Sequence, residues 1–218
     1  MLEIRDFSKT YRGGKRAVDD LSLRVEPGSI VGVLDFDEGD IWIGGHSVRR
    51  EPIECKKLLA YVPDDPNLYE YLTGMQYLNF MADVFGVSAE DREARVREYG
   101  ELFGLTINLG DAIGSFSHGM KQKLALMGAL IHDPKLLILD EPFVGLDPVA
   151  AHAFKQQMRA LCDRGGAVFF STHVLDVAEK LCDKVAIIKN GRLAAFGDTD
   201  AVRGDGSLEE LFLELVEK

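Results

Sequence analysis

The chain has 218 residues, 46% hydrophobic and 28% charged, which is globular composition with enough apolar mass for one sizeable core or two small subdomains. A formal net charge of -11 counts against non-specific binding to DNA or RNA, which needs clustered Lys and Arg to displace counterions from phosphates. Three scattered cysteines, Cys55, Cys162 and Cys182, give neither a disulfide frame nor a zinc site, and no run approaches the roughly 18 apolar residues of a membrane span.

Residues 2–7 and 17–25 alternate as strands around Gly13-Gly14 and predict an antiparallel hairpin. Ser29–Leu34 (SIVGVL) reads as a buried strand, and Asp40–Ile43 (DIWI) as another, closed by Gly44-Gly45. Met75–Phe85 carries apolar residues at helical spacing. Ser88, followed by Asp91, starts a second helix over Ser88–Phe103. Lys121–His132 and Val149–Arg164 are expected as helices. Lys135–Leu139 and Ala167–Ser171 are expected as buried parallel strands. Val174–Cys182 reads as a helix, Val185–Lys189 and Arg192–Phe196 flank an Asn-Gly hairpin, and Leu208–Glu217 closes as an amphipathic helix. The order predicts a single α/β domain over 1–218. It divides into an antiparallel part and the start of the core at 1–65, a helical insertion at 66–118, and an α/β core with hairpin and helix at 119–218.

The sharpest local feature is Leu136–Pro142, LLILDEP. A buried strand ending in two carboxylates delivers both to the carboxyl edge of a parallel sheet, where open α/β folds bind ligands. Asp140 suits a magnesium ligand and Glu141 a general base for water attacking a terminal phosphate. The plain alternative is a strand ending in a polar turn. Ser171-Thr172-His173 ends a second strand, so His173 is expected at the same edge as Glu141. Ser117 and Gly119, in SFSHGMKQK, would offer a hydroxyl, N–H groups and a helix dipole to an anion. A simple helix cap with solvent-facing lysines is the alternative there.

Taken in order, these segments resemble the ATP-binding subunits of ABC transporters, over essentially the whole chain, and within them the exporter-type branch. The resemblance implies a P-loop NTPase-like parallel sheet with an antiparallel β subdomain and a helical insertion. It implies ATP and Mg²⁺ as ligands. Glu141 and His173 stand where the family has its catalytic base and switch histidine, and Asp140 where it has its magnesium ligand. Ser117, Gly119 and Met120 fall in the signature loop, Asp147 in the dimer-contact loop, and Tyr11 at the adenine-stacking position. An ATPase of this kind works at the inner face of a membrane as a head-to-tail homodimer. It drives a separate integral permease and has no nucleic-acid partner. A soluble relative in DNA repair or translation, and a non-hydrolysing binding module, are the other readings.

Two departures stand out. Asp64 occupies the place of the family's glutamine after the Tyr-Val-Pro strand, where a carboxylate still offers a metal ligand but no amide donor. More serious, no G-x-x-x-x-G-K-[ST] loop follows Ser29–Leu34; the chain runs instead into Asp35-Phe36-Asp37-Glu38. Losing three charge-assisted hydrogen bonds of roughly 1.5–3 kcal/mol each would weaken ATP binding beyond about a thousandfold. The 218 residues as they stand are therefore not expected to bind ATP usefully. The expectation is that a loop and helix on the order of 20 residues belong between Leu34 and Asp35, which would then not be bonded neighbours.

Overall fold

The computed structural model describes residues 1–10, 16–28, 30–31, 38–190 and 192–217. Tyr11 and the junction between Leu34 and Asp35 lie outside them. Strand β1 (Leu2–Thr10) buries Leu2 and Ile4 and then Phe7, a change of phase that an alternating strand does not allow. Asp6 absorbs the extra residue. It takes φ 51° and its N–H donates to Ser22 Oγ at 2.9 Å, so the chain bulges and Phe7 still points inward. β2 (Arg16–Val25) pairs antiparallel with β1 and buries Leu21, Leu23 and Val25. β3 (Ile30–Val31) leaves this sheet, and β4 (Glu38–Ile43) returns to it against the other side of β1. The turn at Gly44 and Gly45, both at positive φ, leads to β5 (His46–Ser47), giving the order β2-β1-β4-β5.

A short helix, α1 (Pro52–Leu58), runs directly into β6 (Leu59–Val62). α2 (Gly74–Val84) begins at a capping box in which Thr73 and Gln76 bond reciprocally, and α3 (Ala89–Leu102) begins at Ser88, whose hydroxyl accepts from Asp91 N–H. α4 (His118–Leu130), β7 (Leu136–Asp140), α5 (Pro148–Asp163), β8 (Ala167–Ser171) and α6 (Leu175–Leu181) then alternate. β9 (Lys184–Lys189) and β10 (Arg192–Asp198) form an antiparallel hairpin, followed by α7 (Thr199–Arg203) and α8 (Leu208–Glu217).

The parallel sheet has the order β3-β8-β7-β6 and is covered on both faces, as its continuous apolar strands require. Leu137, Leu139, Val168 and Phe170 pack into a core shared with α2, α4 and α5. Leu136, Ala167 and Phe169, of opposite phase, pack against Leu2, Ile4, Leu23 and Val25 of the antiparallel sheet. The two sheets thus share a core, and the carboxyl ends of β6, β7 and β8 stand side by side. Among the described residues, no helix is long and apolar enough to cross a membrane.

Candidate active site

In-register pairing sets Asp140, the last residue of β7, beside Ser171, the last of β8. The Ser171 hydroxyl donates to Asp140 Oδ1. The chain then turns sharply at Glu141, which takes φ 44°, and its N–H donates to Ser171 O at 3.2 Å. That turn swings the Glu141 carboxylate over the end of β8. Its Oε1 lies 2.8 Å from both His173 N and His173 Nδ1, and its Oε2 accepts from Thr172 Oγ1 at 3.2 Å. Glu141 is sheltered, with its side chain 20% exposed, whereas the His173 ring is 75% exposed. The sheltered carboxylate is thus held by a hydroxyl, a backbone N–H and a solvent-exposed ring. Asp64 follows β6 by two residues, and β6 pairs with β7 through Val62 and Leu139. Asp64, Asp140, Glu141 and His173 therefore come from the carboxyl ends of three adjacent strands.

Ser117 caps α4, its hydroxyl accepting from Met120 N–H at 3.3 Å. Gly119 has a packing reason of its own, since a Cβ there would lie 2.4 Å from Gly145 O. The first turn of α4 is thereby pressed against the loop that links Glu141 to Asp147. Asp147 caps α5, accepting from Val149 N–H at 3.1 Å and Ala150 N–H at 2.9 Å, and it also takes Lys123 Nζ at 2.5 Å. The Lys123 ammonium, with the cap hydrogen bonds, pulls the Asp147 carboxyl down to about 2. Lys121 pairs with Glu70 at 2.5 Å. The lysines of SHGMKQK are consequently engaged with carboxylates rather than facing solvent.

The supporting residues Ser171, Thr172, Lys123, Gly145 and Glu70 have no assignable role in the sequence. Only the S-T-H run gave a signal, because donors placed immediately before His173 must reach the same edge. Lys123 and Asp147 are 24 positions apart and Lys121 and Glu70 are 51 apart, which no local pattern reveals.

The donor set suits magnesium better than a metal bound by protein alone. Asp140 offers a carboxylate braced by a hydroxyl, and no group of three or more His, Cys, Asp or Glu that could hold an ion occurs among the described residues. Mg²⁺ takes one or two carboxylates and completes its shell with water and phosphate oxygens. A parallel sheet thus presents two carboxylates and a neighbouring histidine at its carboxyl edge, where open α/β folds bind ligands, with a capped helix in the same half of the chain.

The family profile described as "ABC transporter" matches residues 20–144. The ABC-type transporter ATP-binding protein EcsA of Bacillus subtilis (strain 168) is 36% identical over 194 residues, covering 87% of this chain and 78% of that protein. The uncharacterized ABC transporter ATP-binding protein YxlF of the same strain is 37% identical over 236 residues, covering all of this chain and 78% of YxlF. That alignment is 18 positions longer than the 218-residue chain. A solved structure of an ATP-binding subunit of an ABC transporter superposes with a TM-score of 0.93 at 33% identity, over 99% of each chain. The chain belongs to the ABC transporter family, as an ATP-binding subunit of ATP-driven transport.

Proposed function

We propose that this subunit hydrolyses ATP and uses the cycle to drive a substrate through a separate integral membrane permease, working at the cytoplasmic face as a head-to-tail homodimer. The observation that carries the reading is the grip of His173 and Thr172 on Glu141 at the edge that also presents Asp140. Glu141 accepts the proton of the attacking water, and His173, released from it, senses the terminal phosphate. Asp140 and Asp64 would hold Mg²⁺, which would neutralise charge on the phosphates when bound. Ser117, Gly119, Met120 and Asp147 meet the nucleotide of the opposite copy, and Tyr11 stacks on the adenine.

Hydrolysis also needs a hold on the phosphates that no G-x-x-x-x-G-K-[ST] loop in the 218 residues provides. The proposal therefore gives the working subunit a loop and helix between Leu34 and Asp35, a length that the 18 extra aligned positions accommodate. Without that segment the reading becomes a non-hydrolysing binding module, which its absence from the sequence favours. The test measures the intact mass of the purified subunit and then the variant Glu141→Gln. The expected result is a mass about 2 kDa above 24.1 kDa, as a loop and a helix of ~12 residues require. The variant then traps ATP and homodimerises. A mass of 24.1 kDa selects the binding module, and an unchanged hydrolysis rate in Glu141→Gln removes the base assignment.

A further inference from the structure

The stretch that leads into α2 lies alongside the stretch that leads into α4. Gly114 N–H donates to Glu70 O at 3.0 Å, Ile113 N–H to Leu72 O at 2.9 Å, Gly74 N–H to Asp111 O at 3.2 Å and Met75 N–H to Leu109 O at 2.7 Å. Glu70 and Leu72 turn their carbonyls toward this seam. Tyr69 and Tyr71, between and beside them, stay 48% and 80% exposed. Tyr69 lies 6.0 Å from the Tyr71 ring and 6.0 Å, edge-on, from Phe80, so the exposed side is a continuous aromatic surface. Gly114 allows the seam to close, because a Cβ there would stand 3.3 Å from Glu70 O.

The Glu70 side chain reaches further. Its carboxylate takes Lys121 Nζ at 2.5 Å, in the first turn of α4, and the ammonium holds the Glu70 carboxyl below its usual range. A lysine at the positive end of a helix dipole is unfavourable by itself, and a carboxylate on it offsets that cost. From Gly114 the chain needs only three residues to reach Ser117, the α4 cap. Glu70 thus belongs by its backbone to the aromatic surface, and it meets the run into the cap through its carbonyl and the helix end through its carboxylate.

We propose that Glu70 is a positioning residue that ties the exposed Tyr69–Tyr71 surface to the Ser117 end of α4, so that a partner pressing on those tyrosines moves the anion-binding terminus. The proposal rests on the reading of a permease as partner, but the tie itself is testable in the full chain alone. Amide hydrogen exchange is compared in the wild type, Glu70→Gln, Glu70→Lys and the swapped pair Glu70→Lys with Lys121→Glu. Exchange of the Met120 and Lys121 amides, which bond to Ser117, is expected to rise roughly two- to fivefold in Glu70→Gln. It rises further in Glu70→Lys and returns to the wild-type rate in the swapped pair, while the Leu126–Leu130 amides stay unchanged. Unaltered exchange at Met120 and Lys121 in Glu70→Lys overturns the tie, as does a rise along the whole of α4 that the swap does not reverse. If the tie holds while crosslinks from Tyr71 reach no membrane protein, the docking reading fails and the tie stands.

Discussion

Glu141 occupies a backbone region that disfavours any residue with a Cβ, at a cost of about 1–3 kcal/mol, and persists there because its surroundings over-determine it. Its N–H is tied to Ser171, and its carboxylate to Thr172 and His173. Asp147 is fixed as firmly, and its ionisation makes the fixing measurable. With its folded value drawn down to about 2 by Lys123 and the cap, the charged form contributes stability that is complete above the ordinary aspartate value. That contribution is lost as pH falls through the folded value. Asn caps a helix as well as Asp does but carries no charge. Asp147→Asn is therefore expected to melt below the wild type at pH 5, by a gap that closes as pH falls from about 4 toward 2. A gap that does not change with pH would mean that the Lys123 pairing contributes nothing.

At the scale of elements, α4 shows how one helix serves both packing and chemistry. Its later turns bury Leu124, Leu126, Met127 and Leu130, and its first turn has to sit close against the loop at Gly145. Gly119→Ala tests that closeness. Alanine is the better helix former by about 1 kcal/mol, but its Cβ would meet a backbone oxygen at 2.4 Å, and overpacking costs about 1–3 kcal/mol. The melting temperature is expected to fall by about 2–4 °C. Gly110→Ala, where nothing lies within 4 Å, should leave it unchanged. An equal effect at both positions would mean that the contact with Gly145 is not what requires glycine. The contrast also marks where the sequence was readable. The apolar runs LLIL and AVFF announced β7 and β8, and with them the placing of Asp140, Glu141 and His173, because a buried parallel strand needs no information beyond itself. Ser88 and its neighbours announced α3 for the same local reason. Helix α1, only seven residues long, has too few turns to show a period, and α7 is shorter still. The need for glycine at 119 depends on a carbonyl 26 positions away, and the pairing of Lys121 on a carboxylate 51 away, so neither is written locally.

For the whole molecule, charge and exposed apolar area point in different directions. A net charge of -11 works against a purely electrostatic hold on an anionic leaflet. Tyr69, Tyr71 and Phe80 are exposed, and their chain neighbours Leu68 and Met81 line a groove of about 770 Å³ together with Ile53, Tyr61 and Val84. Cysteines placed at Tyr69 or Tyr71 are expected to crosslink to a membrane protein in native vesicles; crosslinks confined to this chain would mean that the tyrosines only cover α2. The connectivity of the sheets has a further consequence, in time rather than in space. β3 pairs, among the described residues, with β8, and Ile30 meets Val168, 138 positions later. At about 5–20 residues per second, a ribosome exposes β3 for roughly 7–28 s before its partner exists. Arg192, which closes onto Asp19 at 2.6 Å, arrives later still. β1 and β2 can pair as soon as both are made, whereas β3, made just after them, is among the last strands to be secured.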